Sequence, residues 1–539
     1  MSHDPLQPPH ADQTEPPSVP PSKSAQTPLH RQLLDALGRA TPQLEPPHSR
    51  RIFVHRNLMM DQVEVIGFDM DYTLALYNQP RLEQLSVQCT LRKMIEQRGY
   101  PQALLTLPYD PQFAIRGLVV DREHGNLLKM DRYHYVGRGY HGTRPLNRQE
   151  RHRLYHTQPS RLHPSRFAQI DTLFALPETV LYAQAVDFFD RSEAELPLTP
   201  AARMARYSQL WADIRESIDE AHRDESIKHI IKADMKSYIE QDADLPLTLQ
   251  RFRSAGKRLF LLTNSGFDYT QAVMSYLLDD RLPDYPSWRD YFDVIVVDAR
   301  KPTFFTQTAP LVALDPSGQP LSTPRVGVNR GDVFSGGNAQ ALEELLGMRG
   351  DRLLYVGDHI YGDMYKAKRS SVWRTAMVIQ ELEEELERHA RVETKLQRLE
   401  VLERRRNRID GEVRYQQMLL GKLHDLVASD PQVLTLRGTF DLDTARREAE
   451  TELKQILAEL QAAHRQTDAD IDRLEQDIEH AFNPFWGPLF KAGAENSRFG
   501  EQVEDFVCLY TSRVSNFLSY SPFQYFRSPR EHLPHERVY

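Results

Sequence analysis

Short apolar runs alternate with stretches of helical periodicity over much of the chain. Each run is rich in Leu, Ile and Val, and polar residues follow it directly. The runs are VEVIGFDMDYT (63–73), KRLFLLTNS (257–265), YFDVIVVDARKP (291–302), DRLLYVGDHIYGD (351–363) and SVWRTAMVI (371–379). Buried strands that alternate with helices are typical of a parallel sheet whose ligands bind at the carboxyl ends of the strands. The pattern therefore predicts an α/β fold with a Rossmann-like parallel sheet core.

The alternation stops between residues 91 and 244. Strand-like pieces such as RGLVVD and GNLLKMD occur there beside a helical stretch at 201–224. An apolar stripe on that helix recurs every three or four residues, and it comprises Met204, Tyr207, Trp211, Ile214, Ile218 and Ala221. We therefore predict a catalytic core of residues 46–90 and 245–380, interrupted by an inserted α+β cap domain of residues 91–244. A cap at the ligand end of a sheet is well placed to act as a lid.

Three further segments differ from the core and the cap in composition. Residues 1–45 are rich in proline and poor in large apolar side chains, so we expect a disordered tail. Residues 381–480 are charged and helical, with acid–base pairs four residues apart. They predict a long helical-hairpin arm, interrupted at 429–441, that serves oligomerisation or, alternatively, stays solvated without a partner. Residues 481–539 are rich in aromatic side chains, and we expect them to pack on the core.

Composition and charge narrow the classes of protein and partner. The 539 residues carry 67 basic and 76 acidic side chains, a formal charge of −9, which argues against nucleic acid as the main ligand. A hydrophobic content of 40% is typical of a soluble globular protein, and the length predicts more than one domain. No apolar run approaches the roughly 18–20 residues that span a bilayer, so we expect no membrane partner. Two distant cysteines and an N-terminus without a secretory apolar segment favour a cytoplasmic location.

Charged and polar side chains gather at the predicted carboxyl ends of the strands. Asp69 and Asp71 lie two residues apart after the first run, and like charges this close repel unless a cation separates them. The later runs supply hydroxyls, an amide, a lysine and two more carboxylates, namely Thr263, Asn264, Ser265, Lys301, Asp358 and Asp363. All-oxygen ligands favour Mg²⁺. The alternative for the first pair is a turn capped by an aspartate at the end of a strand.

This set of residue types suits phosphoryl transfer. A carboxylate is ionised at pH 7, so it can attack phosphorus without an activating base and form an aspartyl-phosphate. A second carboxyl group two residues further on can protonate the departing alkoxide and later deprotonate water. A metal ion and Lys301 would offset the charge of the phosphoryl group.

The same segments, in this order, resemble the haloacid dehalogenase superfamily of aspartate-nucleophile phosphatases and, within it, the cytosolic purine 5′-nucleotidases that act on IMP and GMP. The resemblance rests on GFDMDYTLALY, RGYPQALL, RGLVVD, TLFALPE, LLTNS, YFDVIVVDARKPTFF, VFSGGN, YVGDHIYGD and FLSYSPFQYFRS. It implies a haloacid dehalogenase-like core in which Asp69 is the nucleophile and Asp71 the general acid/base. It also implies Mg²⁺ bound by Asp69, by the backbone carbonyl of Asp71 and by Asp358, with Asp363 supporting the ion from nearby.

The resemblance also implies how the substrate is held. It assigns the phosphoryl group to Thr263, Asn264 and Lys301, and the Ser265 hydroxyl beside them is a further donor suited to the substrate. It assigns the purine to Arg215 and Asp219, with His222 nearby, Lys228 toward the ribose phosphate and Phe174 stacked on the base. Arg215, Asp219 and His222 are spaced i, i+4 and i+7, so they share one helix face. An ordinary Arg–Asp pair on a helix surface is the alternative interpretation of that spacing.

These expectations combine into one function. We expect a Mg²⁺-dependent 5′-nucleotidase that hydrolyses 6-oxopurine nucleoside 5′-monophosphates, such as IMP and GMP, through an aspartyl-phosphate. Transfer of the phosphoryl group to another nucleoside is a second expected activity. We expect the protein to be a homo-oligomer, a dimer or a tetramer. The alternatives are a phosphatase for another small phosphate ester and a non-catalytic scaffold that uses the helical arm.

Overall fold

Strands and helices alternate along the chain in the computed structural model, which describes residues 46–157, 162–192, 198–321, 327–429 and 441–536. The strands are β1 (Phe53–Val54), β2 (Leu58–Met59), β3 (Val65–Phe68), β4 (Val119–Asp121), β5 (Asn126–Met130), β6 (Val136–His141), β7 (Arg144–Pro145), β8 (Phe167–Gln169), β9 (Arg258–Leu262), β10 (Val294–Val297), β11 (Leu311–Ala313), β12 (Asp332–Gly336), β13 (Leu353–Gly357), β14 (Arg374–Val378), β15 (Lys491–Ala492), β16 (Glu495–Asn496), β17 (Leu509–Thr511) and β18 (Tyr525–Phe526). The α-helices are α1 (Gln79–Arg98), α2 (Arg148–Arg151), α3 (Leu176–Ser192), α4 (Pro200–Arg223), α5 (Ser226–Ala233), α6 (Met235–Tyr238), α7 (Asp244–Ser254), α8 (Phe267–Leu278), α9 (Ala339–Leu346), α10 (Lys366–Ser371), α11 (Leu382–Ser429), α12 (Leu442–Phe482) and α13 (Arg498–Phe506). Short 3₁₀ and π-helical turns join several of these elements.

The main sheet is built from the apolar runs of the sequence. In the described part of the chain, nine strands form it in the order β1-β17-β14-β13-β3-β9-β10-β12-β11. The strands from β14 to β12 in that order are parallel, whereas β1 and β11 pair with the sheet in the antiparallel sense. β3, β10 and β13 are buried along their whole length, as expected for a sheet covered on both faces. The predicted Rossmann-like parallel sheet is confirmed.

A glycine in the middle of β3 lets two aromatic rings meet across the strand. Gly67 is the register partner of Phe260 in β9 and of Tyr355 in β13. These two rings stack, with centroids 6.2 Å apart, and a Cβ atom at Gly67 would lie 2.0 Å from the Phe260 ring. Only glycine fits here, and the stack fixes how β13, β3 and β9 lie against one another.

The insertion between β3 and β9 contains a small antiparallel sheet and a group of helices. Within the described residues the small sheet has the order β7-β6-β5-β4-β8. The helix α1, which follows β3, packs against α3 and α4 of the insertion, and Arg98 pairs with Glu220 at 2.9 Å. The cap boundary expected at residue 91 therefore lies inside α1, because that helix is continuous and packs with the inserted helices.

The amphipathic helix predicted at 201–224 is α4. Of its predicted apolar stripe, the residues from Tyr207 to Ala221 are buried, whereas Met204 is exposed. Met204 differs because its side chain lines an open cavity beside β5 and β6. The stripe therefore begins one turn later than the sequence predicts.

α11 and α12 pack along each other in opposite directions, as the charge pattern predicts. Ion pairs join Lys395 to Asp477 at 3.5 Å and His464 to Asp410 at 2.8 Å, so residues late in one helix meet residues early in the other. Most of the predicted break at 429–441 lies outside the described residues. The tail of residues 1–45, expected to be disordered, also lies outside them.

The segment after α12 contacts both sheets. β17 pairs in parallel with β14 of the main sheet, and the Phe517 ring lies 5.7 Å from that of Phe252 in α7. Trp486 is buried, and its indole N–H donates to the backbone oxygen of Phe113 at 2.5 Å. Trp486 and Phe517 of this segment thus contribute to the packed interior, whereas Phe523 is exposed. Among the described residues, none of the helices is both long enough and apolar enough to cross a membrane.

Candidate active site

Four loops meet at the carboxyl edge of the main sheet. Asp69 directly follows β3, Thr263 directly follows β9, Lys301 lies in the loop after β10, and Asp358 directly follows β13. These strands lie side by side in parallel, so their ends converge. All four residues are buried. The sheet thus brings together side chains that are nearly 300 residues apart in the sequence.

Lys301 joins two of the carboxylates. Its ammonium nitrogen lies 2.9 Å from Asp69 Oδ2 and 2.8 Å from Asp363 Oδ1, and it donates to the Tyr355 hydroxyl at 2.8 Å. Tyr355 in turn donates to the backbone oxygen of Leu262 at 3.2 Å. Each hydrogen of the ammonium group has an acceptor, so the cation is fixed in place beside Asp69.

Three carboxylates crowd around this single lysine. Asp69, Asp358 and Asp363 present oxygens that lie within 4.8 Å of one another. Burial, opposed by Lys301, raises the pKa of Asp69 to about 7, and burial and the neighbouring Asp363 raise the pKa of Asp358. Asp358 Oδ2 is buried and accepts no hydrogen bond from the described residues. Buried carboxylate oxygens with one of them unbonded are a ligand set that fits a hard divalent cation such as Mg²⁺.

Asp71 lies outside this carboxylate group and has its own partners. The Tyr77 hydroxyl donates to Asp71 Oδ1 at 2.6 Å, and the Ser265 hydroxyl donates to Asp71 Oδ2 at 2.8 Å. Burial raises the pKa of Asp71 against the effect of these two hydrogen bonds. The Tyr77 hydroxyl also lies 2.9 Å from the hydroxyl of Tyr269. The side chain of Asp71 is thus held in one orientation by two hydroxyls, and it is not part of the Asp69, Asp358 and Asp363 cluster.

Unusual backbone conformations accompany these side chains. Tyr72, directly after Asp71, has a φ of 56° and is buried. Asp298 and Arg300, in the loop that carries Lys301, have φ values of 50° and 59°. Left-handed conformations cost about 1–3 kcal/mol at residues other than glycine and cluster at functional sites. Both loops are therefore held in shapes that local preference alone would not select.

The polar side chains that follow β9 form hydrogen bonds with backbone groups of neighbouring residues. The Asn264 side chain donates to the backbone oxygen of Lys301 at 2.9 Å and accepts from the Lys301 backbone N–H at 2.6 Å. The Thr263 hydroxyl, fully buried, accepts from the backbone N–H of Ser265 at 3.0 Å. Because both polar atoms of the Asn264 amide bind the Lys301 backbone, this side chain shapes the lysine loop.

Four of the residues expected to hold the nucleotide, Ser265 among them, line one small cavity. Phe174, His222 and Lys228 surround it together with Asp71 and Tyr269. The rings of Phe174 and His222 meet edge to face with centroids 5.8 Å apart, and burial lowers the pKa of His222 to about 4, so this imidazole is neutral at pH 7. The cavity volume is about 50 Å³, well below the roughly 300–1,000 Å³ of small-molecule pockets. A nucleotide can enter only if the cap residues move apart.

The other two expected base contacts lie outside the lining of that cavity. Arg215 forms a salt bridge with Glu178 at 2.7 Å. Asp219, one helical turn further along α4, lies 3.9 Å from the Arg215 guanidinium. Glu178 is almost fully buried, and burial, opposed by Arg215, raises its pKa to about 7. The predicted i, i+4 pair on α4 is therefore present, and its arginine is anchored by a carboxyl group of α3.

Sequence reasoning missed several residues of the site. Tyr77 is the last residue of GFDMDYTLALY and Tyr355 the first of YVGDHIYGD, but a tyrosine at either position carries no local signal of its role. Glu178 belongs to the TLFALPE motif, where a single acidic residue in an apolar helix could have marked a buried ion pair. Arg116, in the RGLVVD motif, donates to the backbone oxygen of Asp358 at 2.9 Å. No sequence pattern indicates that contact, because it joins segments 242 residues apart.

Comparisons with known proteins agree with this geometry. A sequence model described as the 5′ nucleotidase family matches residues 52–538. A 5′-nucleotidase domain-containing protein of Dictyostelium discoideum is 28% identical over 501 residues, which cover 92% of this chain and 76% of that protein. The human 5′-nucleotidase domain-containing protein 2 is 33% identical over 380 residues, which cover 68% of this chain and 69% of that protein.

Two of the solved structures that match are much less similar in sequence. A predicted phosphoglycolate phosphatase from Haemophilus somnus matches at 14% identity and a TM-score of 0.26, over 59% of this chain and 85% of that one. A 2-haloacid dehalogenase from Pseudomonas syringae matches at 14% identity and a TM-score of 0.21, over 59% of this chain and 86% of that one. The sequence match, by contrast, runs through both sheets and the arm. The chain therefore belongs to the 5′ nucleotidase family, a family of nucleotide phosphatases.

Proposed function

We propose that this 5′-nucleotidase is Mg²⁺-dependent and hydrolyses 6-oxopurine nucleoside 5′-monophosphates through an aspartyl-phosphate on Asp69. The observation that carries the proposal is the contact of Lys301 with both Asp69 and Asp363, beside an Asp71 carboxyl group that two hydroxyls hold. A nucleophile beside a fixed cation and a separate proton carrier are the two parts that this chemistry needs.

The proposed Mg²⁺ site consists of oxygen atoms from two segments, the one after β3 and the one after β13. The carboxylates of Asp69 and Asp358 and the backbone carbonyl of Asp71 would hold the ion, and Asp363 would support it from nearby. The unbonded, buried Oδ2 atom of Asp358 supports this assignment. When bound, the ion neutralises charge on the phosphoryl group, so that an anionic nucleophile can approach an anionic substrate.

In the first half of the proposed reaction, an Asp69 oxygen forms a bond to phosphorus while the bond from phosphorus to the nucleoside 5′-oxygen breaks. The departing oxygen takes a proton from Asp71. Burial raises the pKa of Asp71 above its ordinary value, which favours the protonated form that this step requires. Tyr77 and Ser265 hold the carboxyl group in one orientation, which keeps its free lone pairs aimed in a fixed direction.

In the second half, water attacks the phosphorus atom of the aspartyl-phosphate. Asp71 accepts the proton of that water, Asp69 is released as a carboxylate, and inorganic phosphate leaves. A nucleoside hydroxyl in place of the water would accept the phosphoryl group and transfer its proton to Asp71 in the same way. We therefore include nucleoside phosphotransferase activity in the proposal.

The phosphoryl group is proposed to contact Thr263, Ser265 and Lys301. The Lys301 ammonium and the two hydroxyls lie at the same edge of the sheet as Asp69. The phosphoryl oxygens would accept hydrogens that Lys301 and Ser265 donate to carboxylates in this structure. We assign Asn264 to substrate binding through Lys301, because its amide holds the backbone of that residue at both its N–H and its oxygen.

For the base, hydrogen-bond chemistry favours a 6-oxopurine. Hypoxanthine and guanine present a carbonyl acceptor at position 6 and an N–H donor at position 1, whereas adenine presents an amino donor and an unprotonated nitrogen. Arg215 is a donor and Asp219 an acceptor, which matches the first pattern. Phe174 and the neutral ring of His222 offer aromatic faces to the base, and Lys228 offers a cation to the ribose phosphate.

A panel of phosphate esters tests the proposal. Phosphate release is measured with IMP, GMP, AMP, their deoxy forms and non-nucleotide sugar phosphates, each with Mg²⁺ and with EDTA. We expect release from IMP and GMP that needs Mg²⁺ and is absent from Asp69→Asn. Preference for a sugar phosphate would instead make the protein a phosphatase for another small ester. Absence of release from every ester would make it a non-catalytic scaffold that uses the arm.

We also propose a cytoplasmic homo-oligomer, a dimer or a tetramer, in which the arm pairs with a second copy. Two observations support this. The free cysteines Cys89 and Cys508 are both buried and unpaired as disulfides, as in a reducing compartment. Val401, Tyr415 and Met418 of α11 are exposed apolar side chains that a partner arm could cover. Sedimentation velocity of the full chain gives the assembly, and a monomer would contradict it.

A further inference from the structure

Arg116 is a buried cation outside the catalytic loops. Its side chain is 0% exposed, and it lies in the turn just before β4, where the small sheet begins. Its Nη1 donates to the backbone oxygen of Asp358 at 2.9 Å. Its Nε and Nη2 donate to the two carboxylate oxygens of Glu381 at 2.8 and 2.6 Å. The guanidinium group also lies 4.8 Å from the centroid of the Phe499 ring.

These contacts join three separate parts of the chain at one point. Glu381 directly precedes α11 at the base of the arm, Phe499 belongs to α13, and Asp358 follows the catalytic strand β13. A buried charge is costly unless a partner and hydrogen bonds compensate it. The charge of the Arg116 guanidinium group is compensated by the carboxylate of Glu381 and by a hydrogen bond to the peptide oxygen of Asp358. The guanidinium plane is therefore fixed, and so is the peptide group that it binds.

The position of that peptide matters for the Asp358 side chain. Asp358 Oδ2 accepts no hydrogen bond from the described residues, so the backbone has a large share in setting where this oxygen points. Lys301 neutralises Asp69 and Asp363 directly, and no salt bridge joins it to Asp358 within the described residues. Asp69 and Asp363 are held by salt bridges to Lys301. The position of the Asp358 carboxylate, by contrast, depends mainly on the position of its own backbone.

We propose that Arg116, clamped by Glu381, is a positioning residue for the metal site: it fixes the peptide of Asp358 and thereby aims its carboxylate at the ion. The inference rests on the proposed Mg²⁺ site. It extends that site to the small sheet and to the base of the arm, since a shift of either would move Arg116. Partners that orient metal ligands are typically worth about 10- to 100-fold in metal affinity.

The chain offers a matched control in Arg138 of β6. Arg138 also pairs with a glutamate of the arm, Glu479, and its Nη1 donates to the backbone oxygen of Phe485 at 3.0 Å. It therefore links the small sheet to the arm in the same manner as Arg116. Within the described residues, Arg138 contacts none of the catalytic loops. A variant of Arg138 therefore reports how much Mg²⁺ affinity is lost when only the contact between the small sheet and the arm is weakened.

Calorimetric titration of Mg²⁺ into the purified full chain tests the inference. Arg116→Lys keeps the charge but replaces the three nitrogens of the planar guanidinium with one ammonium nitrogen, which cannot reproduce the bidentate contact with Glu381. Glu381→Gln removes the charge of the clamp. We expect both to weaken Mg²⁺ binding about 10- to 100-fold, with Arg138→Lys close to the wild type. At saturating Mg²⁺, kcat for IMP should recover toward the wild-type value, and KM for IMP should stay unchanged.

The outcomes separate this inference from the proposed function. Wild-type Mg²⁺ affinity in Arg116→Lys and Glu381→Gln would overturn the positioning role while leaving the metal site intact. An equal loss in Arg138→Lys would overturn it too, because the effect would then come from the junction as a whole. A wild-type chain that binds no Mg²⁺ would overturn the metal site itself. Should Arg116→Lys fail to fold, Glu381→Gln decides the matter, since 22% of that side chain is exposed.

Discussion

Without a divalent cation, the carboxylate of Asp69 should weaken the fold. Burial raises its pKa from 3.8 to about 7 in the folded protein. Because the folded pKa lies above the unfolded one, the native state binds the extra proton between these values, and stability falls as the pH rises from about 4 to about 7. At pH 8 the full shift applies, roughly three pKa units at 1.36 kcal/mol each, or about 4 kcal/mol. Asp69→Asn removes this penalty, and Lys301 keeps Asp363 and Tyr355 as partners.

Thermal unfolding in EDTA measures the effect. A unit of this size has an unfolding entropy of about 1 kcal/mol/K, so the 4 kcal/mol corresponds to roughly 4 °C in Tm. We expect Asp69→Asn to melt above the wild type at pH 8, with the gap falling to about half at pH 5, where the native carboxyl group is already protonated. Asp61→Asn, at an exposed position, controls for the substitution itself. A variant that melts below the wild type at pH 8, or a gap that ignores pH, would refute the reasoning.

Three further substitutions test single contacts. Tyr77→Phe removes one of the two hydrogen bonds to Asp71, so kcat for IMP should fall about 10- to 100-fold with KM unchanged; an unaltered kcat would exclude an orienting role. Glu178→Gln removes the charge that anchors Arg215. The ratio of kcat/KM for IMP to kcat/KM for AMP should then drop about tenfold, which corresponds to one charge-assisted hydrogen bond. An unchanged ratio would show that Arg215 does not select the base. Asn264→Ala leaves the Lys301 backbone N–H and oxygen unpaired and should lower both Tm and kcat; wild-type values of both would show that the loop holds its shape without the amide.

Much of the sheet and its catalytic edge could be predicted from sequence. Runs such as VIGF and LLYVG are short, apolar and followed by polar residues, which favours buried strands between helices, and parallel strands place their carboxyl ends together. That rule is enough to expect Asp69, Thr263, Lys301 and Asp358 at one edge without any knowledge of their distances. The pairing of two long helices follows from their charge pattern in the same way.

Contacts that depend on tertiary geometry could not be predicted. The Asn264 amide has the chemistry of a phosphate ligand, but its distance from the Lys301 peptide decides that it binds there. Arg215 has the spacing of a surface pair, yet the approach of α3 brings Glu178 against it. Residue 91 marks a change in sequence pattern, whereas the continuous helix α1 crosses it and packs with the inserted helices. Periodicity describes a single element, and these features arise between elements.

The central claim is that Asp69 carries the phosphoryl group during turnover. Its most direct test is an acid quench of the enzyme during steady-state turnover of ³²P-labelled IMP with Mg²⁺, followed by peptide mapping of the protein-bound label. We predict label on the peptide that contains Asp69 in the wild type and none in Asp69→Asn. Turnover of IMP by the wild type without any protein-bound label, or label that persists in Asp69→Asn, would contradict the account.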